Sequence, residues 1–250
     1  MEPLKTLEQE IQKYSGFPND ELAEKCSKVV TKLSDEAQCC VGLFFAMSDD
    51  EDTQAKSRSI LSRLRDKHDK SPPYMLLKWI LQIQNEKDIN GNIEKQIEDW
   101  AGKHPDNIIY SRAVLWLKSR SKDNIELIGF YVQHLENFWK DDLSWGRLGE
   151  LYAKEKLYER STFCFDEAIG IDPNCSEYYK NAAKYRLMIN SDDEETQKKR
   201  NDIAIKQLCR CVTMNEKDTE AWKLLIENTT DKAKKDKYTA YVKSLKLVIE

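Results

Sequence analysis

Between Trp145 and Pro173 the chain spaces its large and small residues as a pair of packed helices would. Trp145, Leu148 and Tyr152 fall at i, i+3 and i+7 and share one helical face, with Gly149 beside them. A polar break follows at Lys154-Glu155-Lys156. A second stripe then runs through Tyr158, Ser161, Phe165 and Ala168, with Ile169 alongside. Pro173 ends it, because proline cannot continue a helical hydrogen-bond ladder. Gly149 and Ser161 are small, so the two backbones can approach closely. The expectation is that Trp145, Leu148 and Tyr152 fill the space left by Phe165 and Ala168. A bulky residue at Gly149 or Ser161 would force the helices apart, at a cost of about 1–3 kcal/mol.

The order Trp, Leu-Gly, Tyr, small residue, Phe, Ala, Pro resembles the tetratricopeptide repeat. One such hairpin cannot bury its outer face, so neighbours are expected. A step of 34 residues from Trp145 reaches Tyr179, which opens "YYKNAAKYRLMI". The next anchor, Trp222 with Leu225, arrives late because a charged stretch at 190–202 intervenes, read as a flexible insertion. Its following helix places Ala204, Leu208 and Cys211 at the expected offsets. Upstream, helices are expected near 108–120 and 123–139, the latter with an apolar stripe of Ile125, Ile128, Val132, Leu135 and Phe138. Further pairs are expected at 36–47 with 53–68, around an acidic turn "SDDED". Another runs from the "SPP" at 71–73 through "NEKDINGN" to Trp100. The run "CCVGLFFAM" (39–47) is too short to span a bilayer and reads as a buried helix. Only 8 glycines and 6 prolines occur in 250 residues, which disfavours a turn-rich β architecture. The fold class is therefore all-α, an α-solenoid of tetratricopeptide-like hairpins over 1–250. Residues 1–34 are read as cap helices, 35–230 as repeats and 231–250 as a C-terminal capping helix. That last helix carries Tyr238, Tyr241, Val242, Leu245, Val248 and Ile249 on one face and lysines on the rest. The lysine face could also meet acidic lipid headgroups or an acidic partner.

The same inspection excludes several chemistries. The 40 basic and 44 acidic residues are interspersed, without the basic excess of a nucleic-acid surface. The N-terminal MEPLKTLEQE has no apolar core segment, so secretion is not expected. Seven cysteines with no C-x-x-C spacing read as buried, reduced thiols of a cytosolic chain rather than metal ligands. His68, His104 and His134 lack a metalloprotease spacing and read as helix-end or surface residues. Phosphate loops, dinucleotide loops and nucleophile elbows are absent. No catalytic, cofactor or metal residues are assigned, and the function expected is binding.

Repeat geometry directs attention to the first helix of each hairpin, which lines the concave face. The candidate partner-binding residues there are Arg112, Trp116 and Arg120 in one unit, Glu150 and Lys154 in the next, and Lys180 and Lys184 in the third. Gly146 and Glu150 occupy positions where a chaperone-tail clamp needs Lys and Asn, which argues against that cochaperone type.

Residues 123–174 carry a closer resemblance. Leu135, Glu136 and Phe138, then Asp141, Trp145 and Leu148, resemble the Leu-Glu-x-Phe, acidic turn and Trp-x-x-Leu of the subunit 2 family of the endoplasmic reticulum membrane protein complex. Phe163, Cys164 and Glu167, then Asp172, Pro173 and Asn174, are similar to the family's next segment. "KKDKY" (234–238) resembles its end. The resemblance implies a non-enzymatic scaffold, peripheral on the cytosolic face of the endoplasmic reticulum. It would hold membrane-embedded insertase subunits and a cytosolic partner subunit of a complex that inserts tail-anchored and multipass membrane proteins. Two alternatives stand beside it. One is a soluble tetratricopeptide adaptor or cochaperone for peptide segments. The other is a helical-hairpin prenyltransferase-type subunit, whose Asn-Tyr lead Trp145 and Trp222 lack.

Overall fold

A computed structural model describes residues 2–14, 20–47, 51–68, 71–85, 91–120 and 122–247, and every regular element among them is helical. They are α1 (Glu2–Tyr14), α2 (Asp20–Ser27), a 3-10 turn at Val30–Lys32, α3 (Asp35–Ala46), α4 (Glu51–His68), α5 (Pro72–Asn85), α6 (Gly91–Lys103) and α7 (Ile108–Ser119). These are followed by α8 (Asn124–Asn137), α9 (Asp142–Lys154), α10 (Tyr158–Ile171), α11 (Ser176–Leu187), α12 (Glu194–Met214), α13 (Thr219–Asn228) and α14 (Lys232–Ser244). The helices are distributed between two compact units, Met1–Lys122 and Asp123–Glu250. The acidic turn at 48–52, the loop at 85–92, and Val248 and Ile249 lie wholly or partly outside the described residues.

In the first unit α3 is the axis. Every residue from Ala37 to Met47 is buried, so the short apolar run is a core helix with no wet face. Helices α1, α2, α4 and α5 pack around it. Gly42 permits the α5 contact, since a methyl group there would sit 2.7 Å from Leu77 Cδ2. The buried Ser57 hydroxyl on α4 donates to the Gly42 carbonyl at 2.9 Å. Helices α5, α6 and α7 meet through Trp79, Trp100 and Tyr110, with ring centroids 5.8 and 5.9 Å apart in succession.

The second unit is a ladder in which each helix packs on the next from α8 to α14. Five of its helices begin at an aspartate: Asp123, Asp141, Asp193, Asp218 and Asp231 each accept a backbone N–H of the first turn. Four residues after two of these caps stands a tryptophan that closes the preceding turn. Trp145 Nε1 donates to the Trp139 carbonyl at 2.8 Å, and Trp222 Nε1 to the Glu216 carbonyl at 2.9 Å. The polar break after α9 is a helix stop of defined geometry. Leu157 N–H returns to the Tyr152 carbonyl and Lys156 N–H to the Ala153 carbonyl, with Lys156 at φ 60°.

The crossing of α9 and α10 is as close as the small residues require. A methyl group on Gly149 would lie 2.8 Å from Phe165 Cε2. Ser161 is buried on the same helix as Phe165. Phe165 and Ala168 belong to a cluster that extends beyond the hairpin. They cluster forward with Tyr178 and Ala182 of α11, and Trp145 packs against the cluster as a partly buried neighbour. Full burial of a side chain such as Phe165 contributes about 1.5–3 kcal/mol.

Most of the charged stretch at 190–202 is helical, from Glu194 onward. Asp193 caps α12, and the helix then runs for 21 residues. The charge density that suggests a flexible insertion lies on the surface of a helix. Glu194 and Glu195 sit in the first turn, where the helix dipole favours acids, and Glu195 pairs with Lys199 one turn on at 2.6 Å. Ala204, Leu208 and Cys211 are buried as expected. Helix α14 closes the unit with Val242 buried and Tyr238 against Trp222, centroids 6.1 Å apart.

Two glycine substitutions separate packing from propensity. Gly149→Val is expected to destabilise the protein by about 1–3 kcal/mol through overpacking against Phe165. Gly129→Ala on α8, where an added methyl meets nothing within 4 Å, is expected to stabilise by about 0.5–1 kcal/mol. Urea unfolding monitored by circular dichroism checks both signs.

Candidate protein-interaction surface

The seven candidate residues are divided between the two compact units. Arg112, Trp116 and Arg120 lie on α7 in the first unit and are joined to structural roles. Arg112 is 4% exposed, and its guanidinium donates to the Lys13 carbonyl in the last turn of α1 at 2.7 Å. That bond satisfies a carbonyl left over at a helix end. Trp116 is 8% exposed, with the Arg120 guanidinium 5.0 Å from its ring. Arg120 itself is exposed.

In the second unit Glu150 accepts from Arg147 at 2.9 Å, and Lys154 is exposed at the end of α9. Lys180 and Lys184 belong to a charge cluster joining α11 to α13. Lys180 Nζ lies 3.0 Å from Glu177, 3.2 Å from Asp218 and 3.6 Å from Glu220, and Lys184 Nζ lies 2.6 Å from Glu220. Burial alone would lower the Lys180 pKa, but the Glu177 hydrogen bond and the Glu177 and Asp218 carboxylates outweigh it and hold it above the usual lysine range. The Lys184 hydrogen bond, with the charges of Lys184 and Lys180, holds Glu220 below the usual carboxylate range. Two further residues of α9 are closed in by packing. A methyl group on Gly146 would meet Tyr178 Cε1 at 2.9 Å, and Ala153 is buried. The Tyr178 hydroxyl donates to Asp142 at 3.0 Å.

The open apolar surface lies elsewhere, on a face that repeat geometry did not single out. Helices α8, α9 and α10 enclose a groove of about 340 Å³ lined by Val132, Leu135 and Glu136, by Trp145, Leu148 and Tyr152, and by Arg160, Phe163 and Cys164. Phe163 is 56% exposed, Val132 40%, and Trp139 at the α8–α9 turn 62%. The stripe expected to anchor α8 is thus divided. Leu135 is buried, but Ile125 and Val132 are exposed, and the buried side of the helix is Leu127, Tyr131, His134 and Leu135. Helix α8 carries apolar residues around more than one face, and periodicity does not say which face is covered. That surplus of apolar residues was the available signal, together with Phe163 lying off the Ser161–Phe165–Ala168 stripe.

His134 is not a surface residue. It is buried, with Nε2 2.8 Å from Asp141 Oδ2, and the Ser144 hydroxyl donates to the same oxygen at 2.7 Å. A serine nucleophile would direct its proton to the histidine as base; here the carboxylate receives it, and the three residues fasten the end of α8 to the start of α9. His104 follows α6 and stacks on Trp100, centroids 5.1 Å apart, whereas the side chain of His68 lies outside the described residues. None of the seven cysteines is in a disulfide. Burial pushes Cys39, Cys164 and Cys211 up to about 12, far from thiolate chemistry. Among the described residues no group of three His, Cys, Asp or Glu could hold a metal, and no helix is long and apolar enough to cross a membrane.

Residues 143–175, the α9–α10 hairpin with its closing turn, match the family described as Tetratricopeptide repeat. The chain carries a tetratricopeptide repeat. Subunit 2 of the ER membrane protein complex from Xenopus tropicalis is 29% identical over 82 residues, which is 33% of this chain and 28% of that protein. Subunit 2-B from Xenopus laevis matches to the same extent. The match therefore spans less than a third of those relatives. Among solved structures, MamA superposes with a TM-score of 0.50 at 11% identity, covering 65% of this chain and 90% of MamA. The human IFIT1 dimer solved with m7Gppp-AAAA superposes with a TM-score of 0.50 at 12% identity, covering 92% of this chain and 57% of that one. At such identities these two likenesses establish the helical-repeat fold alone. The tetratricopeptide hairpin thus stands as one member of an all-α array of helical hairpins.

Two polar contacts of this region have measurable consequences. Asp141→Ala removes the α9 cap and leaves the buried His134 and Ser144 without their acceptor. The expected loss is about 1–3 kcal/mol for each stranded group, well above that of Ser144→Ala, read as urea midpoints. Glu220 has a depressed folded-state pKa, so its contribution is present above the pKa of an unfolded glutamate and is lost as pH falls through the folded value. The stability difference between wild type and Glu220→Gln is expected to shrink as pH is lowered through that window, in urea titrations run from neutral to acid.

Proposed function

We propose that this chain is a non-enzymatic scaffold that holds other polypeptides on the surfaces of its helical hairpins. We further propose that it does so as a subunit 2-like component on the cytosolic face of the endoplasmic reticulum. The observation that carries the scaffold reading is the apolar groove beside the tetratricopeptide hairpin, with Phe163 and Val132 open to solvent. Exposed apolar surface of this kind is a mark of protein interaction. The endoplasmic reticulum assignment rests on the local likeness to the frog proteins and on the residues from Leu135 to Asn174. On this reading the partners are membrane-embedded insertase subunits and a cytosolic partner subunit. The chain is peripheral, supports insertion of tail-anchored and multipass proteins, and performs no chemistry itself. The two compact units serve together as one support.

A second reading, a soluble tetratricopeptide adaptor for peptide segments, is favoured by the groove being complete within the second unit. Affinity purification of the tagged chain in mild detergent, with mass spectrometry, separates the two. Membrane-embedded insertase subunits are expected in stoichiometric yield, with carbonate releasing the chain from membranes. Recovery of soluble clients alone, with no membrane fraction, would replace the scaffold by the adaptor.

A further inference from the structure

We infer that the α8–α9–α10 groove is the seat of one amphipathic helix from a partner protein, held with a basic residue toward Glu136 and an acidic residue toward Arg160. This rests on the protein-interaction reading but not on the endoplasmic reticulum assignment. All three walls are helical, and each presents a short row of neighbouring side chains. Val132, Leu135 and Glu136 stand at i, i+3 and i+4 on α8. Arg160, Phe163 and Cys164 repeat that spacing on α10, while Trp145, Leu148 and Tyr152 form the floor. Rows of this kind accept the ridges of another helix.

The chemistry of the lining disfavours an extended segment. Its polar side-chain groups are the Glu136 and Arg160 heads, the Tyr152 hydroxyl, the weakly bonding Cys164 thiol and a Trp145 Nε1–H already donated to Trp139. A strand laid here would find few partners in the lining for the backbone N–H and C=O groups it turns inward. A helix satisfies those groups internally and offers only its apolar stripe.

The rim charges set the occupant's flanks. Glu136 is on the α8 wall and Arg160 on the α10 wall, and both are exposed. Arg160 lies 5.7 Å from the Tyr152 ring centroid, and among the described residues neither side chain takes part in an ion pair. A helix with charges of both signs flanking its stripe is complementary to this rim, whereas a flank set of a single sign meets repulsion at one wall. Trp139, with Lys140 Nζ 4.8 Å over its ring, extends the apolar surface at the end of α8 where Trp145 joins the groove.

The test uses the full chain and three fluorescent helical peptides with the same leucine stripe, flanked by Lys and Glu, by Lys alone, or by Glu alone. Anisotropy titration is expected to rank the mixed-flank peptide first. Phe163→Asp and Val132→Asp change exposed positions and are expected to weaken its binding about tenfold or more, as removal of a buried anchor does. Glu136→Lys makes both walls basic and is expected to move the preference to the Glu-flanked peptide. Circular dichroism melts confirm that the variants are folded. Absence of saturable binding to the wild type, unchanged binding to Phe163→Asp, or an unchanged ranking with Glu136→Lys would overturn the proposal. So would sedimentation showing self-association that Phe163→Asp abolishes, since the occupant would then be a second copy. These outcomes are independent of the purification above: a chain with no membrane partners still binds the mixed-flank peptide, and a membrane subunit with an empty groove does not.

Discussion

The ring of Phe165 lies against the bare backbone of Gly149, and the second unit is built outward from that contact. Because no side chain intervenes, α9 and α10 approach closely, and the large residues of each helix are directed elsewhere. Phe165 and Ala168 reach forward to Tyr178 and Ala182. Gly146, one turn before Gly149, lets Tyr178 settle on α9 in the same way. One close crossing thus fixes the next, which is the nearest-neighbour logic of repeat proteins.

That logic also explains why polar residues gather at the joints. Each aspartate cap satisfies a helix start, and each turn tryptophan satisfies a turn carbonyl. Asp141 serves as both cap and acceptor for His134 and Ser144, so the corner between α8 and α9 is fastened by one carboxylate. Lys180 plays a comparable part between α11 and α13 by bringing three carboxylates to a single ammonium. The inner-face charges of this unit are therefore largely engaged with one another, and the open apolar surface appears on the α8–α10 side.

Legibility differed with the kind of signal. The helices around Trp145, Tyr179 and Trp222, and the buried run at 39–47, could be read because periodicity reports directly on which positions share a face. The stretch at 190–202 is ambiguous in sequence because charge density looks alike in a flexible insertion and on a long exposed helix; the Asp193 cap and the Glu195–Lys199 pair distinguish them only once the backbone is known. Arg112 and Trp116 sat at inner-face positions in the repeat register, yet Arg112 is bonded to the end of α1, a contact between residues 99 apart in sequence. His134 reads as a surface residue within its helix because its acceptor lies across a turn.

The sequence by itself determined the fold class and the signature hairpin, because helical spacing, small residues at a crossing and a terminating proline are local properties of the chain. Only the tertiary structure decided which apolar residues stay uncovered. Ile125, Val132 and Phe163 are as apolar as their buried neighbours Leu127 and Phe165, and the difference between them is solely whether another helix lies on top. Burial depends on the arrangement of neighbours in space, and that arrangement is what separates the core of this protein from its open apolar surface.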